Sequence, residues 1–271
     1  MSRRAWTATL ALGLGLVAAG LASAQPRSGI VRPTSEPATP SLELGAELYA
    51  GNCASCHGIR GEGVLAPRPG AGDVFGQGPP LRGVGAMAPD FYLRLGLMPL
   101  SNPRVEPEQD RVLLSDTEIR SLVRYVGALA PGPGIPHPDV QVVGESVQGS
   151  GSTAEGLQLY TEHCAGCHQI VGRGGFVTGA RVPPLQGLTP TEIAEAVRLG
   201  PYLMPRFSTH QISDRQLNSL IKYVISTRNP ANRGGWGIGN LGPIPEGMVD
   251  WWLVVPLLIV FCLILGKRLR S

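Results

Sequence analysis

Ile119, Leu122, Val123 and Val126 recur at the i, i+3, i+4, i+7 spacing that puts apolar side chains on one face of a helix. Leu217, Leu220, Ile221 and Val224 repeat that pattern later in the chain. Each run has the same start signal. Ser115-Asp116-Thr117-Glu118 reads as a capping box, with Leu114 and Ile119 as its hydrophobic staple. Ser213 and Gln216 cap the second run, with Ile212 and Leu217 as staple. Upstream, Leu44 and Leu48 predict a helix leading to Cys53. Gly45, Leu48, Tyr49 and Cys53 return as Gly156, Leu159, Tyr160 and Cys164, all offset by 111, behind a further expected capping box at Ser152-Thr153-Ala154-Glu155. Pro79-Pro80-Leu81 is echoed by Pro183-Pro184-Leu185, and Arg94-Leu95-Gly96 by Arg198-Leu199-Gly200. Tyr125 and Tyr223 hold equivalent places in the two closing helices. The pattern predicts a tandem duplication of one helical, loop-rich domain.

Apolar stretches also mark both ends. Residues 1–24 carry Arg3 and Arg4, an apolar run from Ala8 to Ala19 and a small-x-small site at Ala22-Ser23-Ala24, which reads as an export signal or an N-terminal anchor. Residues 25–40 contain four prolines and form an expected extended tether. The first domain runs over 41–130, a Pro- and Gly-rich linker over 131–151 and the second domain over 152–229. Residues 230–247 are dense in Gly and Pro, so neither helix nor strand is expected there. Residues 248–266 then hold a single charge, Asp250, and as a helix would extend about 28 Å, close to the hydrocarbon thickness of a bilayer. Trp251 and Trp252 stand at one end of that segment; Lys267, Arg268 and Arg270 lie in the tail 267–271 at the other. The positive-inside rule puts this tail in the cytoplasm and both domains on the extracytoplasmic side.

Composition adds two constraints. Gly 37 and Pro 25 in 271 residues leave each domain a marginal apolar core of its own. The formal net charge of +3 rests on the five basic residues at the two ends, and the chain between them is slightly acidic. No basic patch of the kind nucleic acid requires is present. Of the five cysteines, Cys262 lies in the apolar C-terminal run and reads as a packing or lipid-facing residue.

The other four cysteines carry the chemistry. Cys53-Ala54-Ser55-Cys56-His57 and Cys164-Ala165-Gly166-Cys167-His168 are C-x-x-C-H sequences, the attachment pattern of a c-type haem. Residues i and i+3 share a helix face, so one turn can offer both sulfurs to one edge of the macrocycle while the histidine takes the iron. Two haems, each a large apolar body, would make up the deficit in core. The iron needs a second ligand, and Met98 in Leu97-Met98-Pro99 and Met204 in Leu203-Met204-Pro205 supply a matched pair. Met87 competes with Met98 but lacks that setting. A dithiol redox motif leaves the histidines unexplained, and a zinc site would have to join two separate repeats. His–Met ligation is that of cytochromes c, where it raises the reduction potential. Closing both irons favours electron relay over an enzyme such as a dihaem peroxidase, which needs an open position.

The two motifs, the repeat, the segment from Gly235 to Met248 and the single C-terminal anchor together resemble one family over about residues 41–266. It is the dihaem cytochrome c subunit of the cytochrome bc complex (menaquinol/ubiquinol–cytochrome c reductase) of Gram-positive respiratory chains. The resemblance implies an all-α fold of two class I cytochrome c domains with one C-terminal transmembrane helix. It implies two covalent haems, held by Cys53, Cys56, His57 and Met98 and by Cys164, Cys167, His168 and Met204. The implied partners are cytochrome b and the Rieske iron–sulfur subunit on one side and a cytochrome c oxidase on the other. The chain would pass single electrons between them and bind no quinol itself. Gly96-Leu97 stands where that family more often has an arginine before the methionine, and Ala66–Gly78 reads as an enlarged loop. The runner-up resemblance is the dihaem subunit of a cytochrome oxidase.

Overall fold

The computed structural model describes residues 29–64, 78–100, 111–144, 146–177, 179–228 and 243–269. The export-signal segment lies outside the described residues, as does all of the expected enlarged loop except Gly78. The chain divides into two units, Met1–Pro136 and His137–Ser271.

In the first unit, helix α1 (Leu42–Asn52) leads through Cys53 into the short α2 (Ala54–His57); α3 (Met87–Arg94) and α4 (Asp116–Leu129) follow. Leu44, Leu48 and Tyr49 of α1 join Ile119, Leu122, Val123 and Val126 of α4 in one buried cluster, so the apolar stripe predicted from sequence is the core face. Both expected start signals are present. Ser115 and Glu118 close a capping box, and the staple residues Leu114 and Ile119 are buried. The two helices meet at Gly45. A Cβ there would strike the Ser121 carbonyl group and come within 2.8 Å of Tyr125 Cβ.

The tether is partly docked on this unit. Val31 N–H donates to Asn52 Oδ1 at 2.7 Å, and the Asn52 amide returns a bond to Val31 O at 2.8 Å. Arg32 Nε reaches Glu118 Oε1 at 2.7 Å and its Nη2 donates to Leu113 O. Burial pushes the Glu118 carboxyl up, but the Arg32 hydrogen bond and the Ser115 N–H outweigh it, so the group is held below its ordinary value.

In the second unit, a hairpin of β1 (Val140–Val143) and β2 (Ser146–Gly149) precedes α5 (Thr153–His163) and α6 (Ala165–His168). A second hairpin, β3 (Gly175–Val177) and β4 (Ala180–Val182), leads to α7 (Pro190–Leu199), α8 (Asp214–Ser226) and the long α9 (Pro243–Leu269). Leu159 and Tyr160 pack with Leu217, Leu220, Ile221 and Val224, and Gly156 sits at the crossing as Gly45 does in the first unit.

The structure corrects three expectations. The fold is helix-rich but not purely helical. Both hairpins are antiparallel, with Val143 opposite Ser146 and Val177 opposite Ala180 across two-residue turns. Gly144 (φ 60) and Gly179 (φ 84) supply the positive φ those turns need. Val140, in the stretch read as linker, is buried in the second core. Strands of three or four residues are too short for alternation to declare them. Second, Ser152 forms no side-chain cap on α5. Its backbone N–H donates to Ser219 Oγ at 2.9 Å, and Ser219 Oγ donates in turn to Glu155, the expected partner in the box. A box not read from the sequence does form at Thr189 and Glu192. Third, α9 begins at Pro243, inside the Gly- and Pro-rich segment, because proline is tolerated in a first helical turn. Its stretch Gly247–Leu269 is long and apolar enough to cross a membrane, and Trp251 through Leu269 is exposed.

Two outcomes test this packing. Gly156→Ala puts a Cβ against backbone, which the neighbours relieve only by moving the helices apart; it should cost about 1–3 kcal/mol and lower the melting temperature of the haem-loaded chain. Glu118, with its folded pKa below the ordinary 4.5, contributes stability above that pH and loses it as pH falls through the folded value. Glu118→Gln should therefore be less stable than the parent at neutral pH, with the difference shrinking on acidification, as read by thermal melts at stepped pH.

Candidate haem sites

Each C-x-x-C-H motif is positioned by a helix break. Cys53 ends α1 with φ −120° and Cys164 ends α5 with φ −122°, after which four residues form a separate turn ending at His57 or His168. His57 N–H and His168 N–H each donate to the first cysteine's carbonyl at 2.9 Å, so cysteine and histidine are held one turn apart. No disulfide joins the two cysteines of either motif. Cys53 packs against the first core and Cys164 is part of the second. Burial, and after it the neighbouring cysteine's charge, pushes the Cys53 thiol up to about 12 and the Cys164 thiol up to about 11. These positions favour uncharged sulfur. That suits a thioether.

The histidine rings are fixed from behind. His57 Nδ1 lies 2.8 Å from Pro79 O and His168 Nδ1 lies 3.1 Å from Pro183 O. A carbonyl can only accept, so each Nδ1 carries the proton and Nε2 is left with its lone pair, the form in which imidazole ligates a metal. Burial holds His168 below the ordinary histidine range, partly offset by the Pro183 carbonyl, which keeps this ring neutral at pH 7. The Pro-Pro-Leu segments matched between the two repeats thus supply the acceptors for both rings. Sequence reasoning found the segments but not this bond, because a backbone carbonyl leaves no mark in residue identity.

Met98 and Met204 are half-buried and pack against the same clusters as Cys53 and Cys164 respectively. Met98 follows the end of α3, its N–H donating to Tyr92 O at 3.1 Å. Met204 lies in the loop after α7, its N–H donating to Pro201 O at 3.0 Å. Met87 is buried within the first turn of α3. Each core thus has a cysteine and a methionine sulfur against it, with the histidine one turn beyond that cysteine. That donor set fits a covalently attached, low-spin haem.

The comparisons agree with this chemistry. The family model for cytochrome c matches residues 42–130, and that for cytochrome C oxidase, cbb3-type, subunit III, matches residues 151–224. Across the whole chain, the cytochrome bc1 complex cytochrome c subunit of Corynebacterium diphtheriae is 31% identical, covering 98% of this chain and 95% of the relative. The protein of the same name from Corynebacterium efficiens is 29% identical over 98% of this chain and 90% of its own length. That of Mycobacterium tuberculosis is 30% identical over 93% and 87%. The chain belongs to the family of cytochrome bc1 complex cytochrome c subunits. As a member it carries two cytochrome c domains, binds haem c covalently and works in electron transfer, with an apolar C-terminal helix of membrane-spanning length.

Proposed function

We propose that this chain is the dihaem electron-relay subunit of a quinol–cytochrome c reductase, taking single electrons from a Rieske iron–sulfur protein and delivering them to a terminal cytochrome c oxidase. The observation that carries the reading is the end-to-end match to relatives named as bc1 complex subunits, which spans both C-x-x-C-H motifs and the C-terminal helix. The iron of a c-type haem supplies a reversible one-electron couple. Cys53 and Cys56 would bind one such group and Cys164 and Cys167 the other. His57 and His168 would present Nε2 to each iron, steadied by Pro79 and Pro183. Met98 and Met204 would close the opposite positions. Methionine in those positions would raise the potential and leave neither iron open to a substrate.

Proton translocation belongs to the assembled complex, together with cytochrome b. Anchoring by residues 248–266 holds both domains on the extracytoplasmic side in this reading, with 267–271 in the cytoplasm. A second reading, an oxidase subunit, draws on the match of residues 151–224 to a cbb3-type oxidase family. That match covers one domain, whereas the bc1 relatives cover both.

Purification from native membranes through a C-terminal tag tests the assembly. Cytochrome b, a Rieske protein and oxidase subunits are expected to come down with a dihaem c band; oxidase subunits alone would shift the assignment to the second reading. The ligands are tested separately. Met98→Ala and Met204→Ala should each retain covalent haem on a stained gel while opening one iron to cyanide, and Met87→Ala should open neither. If Met87→Ala opens the first iron and Met98→Ala does not, the ligand assignment is reversed.

A further inference from the structure

The histidine–carbonyl bond is the end of a closed hydrogen-bond circuit that occurs in both domains. In the first, Gly61 N–H donates to Gly58 O at 3.2 Å, Leu81 N–H donates to Gly61 O at 2.8 Å, and Leu81 lies two residues from Pro79, whose carbonyl holds His57. In the second, Gly172 N–H donates to Gln169 O at 3.1 Å, Leu185 N–H to Gly172 O at 2.8 Å, and Pro183 holds His168. The circuit starts and ends at the histidine. It is tied to the rest of the domain by tyrosine hydroxyls. Tyr49 Oη donates to Gly58 O at 2.7 Å, and Tyr160 Oη donates to Gln169 O at 2.9 Å. Each acceptor is the carbonyl of the residue directly after the histidine.

We propose that Tyr49 and Tyr160 are positioning residues for the haem-ligating histidines, each hydroxyl fixing the circuit that aims a proline carbonyl at Nδ1. This rests on the assignment of His57 and His168 as iron ligands made above. Both rings are buried, at 1% exposure, where a hydroxyl is not placed without a partner. Burial also holds both phenols above their ordinary range, so they stay protonated and donate. The second domain adds another tie. Tyr223 Oη donates to Ile170 O at 2.6 Å, while its counterpart Tyr125 makes no such bond among the described residues, although both stack on their partner tyrosine at 5.1 Å.

The effect has a sign. A carbonyl accepting from Nδ1–H makes the imidazole a stronger donor to iron and stabilises the oxidised state. Loosening the circuit weakens that donor, so the reduced state gains and the potential rises.

Phenylalanine removes the hydroxyl and keeps the ring, so Tyr160→Phe and Tyr49→Phe are introduced into the full chain and the purified complexes titrated potentiometrically by haem absorbance. Tyr160→Phe should raise one haem's potential and Tyr49→Phe the other's. The expected change in the reduction equilibrium is about threefold to tenfold, the worth of one hydrogen bond, or up to ~59 mV for one electron. Tyr223→Phe, which frees the same loop from its other tie, should raise the haem that Tyr160→Phe raises and carries the test if that variant does not accumulate. Potentials that stay put or fall, or Tyr49→Phe and Tyr160→Phe acting on the same haem, overturn the proposal and leave the tyrosines as packing alone. An unsubstituted chain that lacks one covalent haem, or has an iron open to cyanide, would instead overturn the ligand assignment beneath it.

Discussion

The contact on which the rest depends is the crossing of the first helix of each domain over the last, made at a residue with no side chain. Gly45 and Gly156 let α1 approach α4, and α5 approach α8, until backbone meets side-chain base. The cysteines and the histidines are appended to those first helices. The cysteine that ends each one, the turn that follows and the histidine closing it have no extended structure of their own. A four-residue turn is a weak element, since helix nucleation costs more than one turn returns. It holds its shape because the helix before it is locked in place and the loop behind it is tied back through tyrosine, glycine and leucine. The haem motif is therefore the end of a chain of constraints that begins at a glycine.

Much of this was legible in the sequence because it is written twice. The motifs, the paired helices, two capping boxes and the Pro-Pro-Leu segments all show as residue identities at matched offsets. The Tyr125 and Tyr223 equivalence showed as well. What Tyr49 and Tyr160 do with their hydroxyls did not, because the acceptors are the backbone carbonyls of Gly58 and Gln169, one of which is not even the same residue type. The hairpins were missed for a related reason. Val140 is core, but only one residue of its strand is buried, so the periodicity that would announce a strand is absent. The capping box at Ser152 failed because a long-range partner, Ser219, outcompeted the local one. Local rules lose where a tertiary donor reaches the same group first.

Duplication also sets what the two sites share and where they part. Both keep the proline acceptor at Nδ1 and the phenol tie. The first places Gly58 (φ 81) after its histidine, where a Cβ would collide with Glu62; the second manages the same turn with Gln169 at φ 61, a conformation that costs a non-glycine residue about 1 kcal/mol or more. His168 is buried while His57 is half-exposed, and among the described residues only the second loop carries two hydroxyl ties. A strained and doubly tied loop is one whose carbonyls move little. A glycine loop with one tie has more freedom.

That difference bears on electron transfer between two similar centres. Two haems with identical surroundings would sit at equal potentials, and an electron would have no preferred direction between them. The causes of asymmetry behind the ring are burial and the stiffness of the carbonyl at Nδ1, while the Leu-Met-Pro residues are the same in both domains but held differently, by Tyr92 O in the first and Pro201 O in the second. The duplicated chain thus keeps one attachment chemistry and varies the support behind the ring. In the proposed ligation, varying the support would change the potential without touching a ligand, leaving covalent attachment and iron closure as they are in both halves.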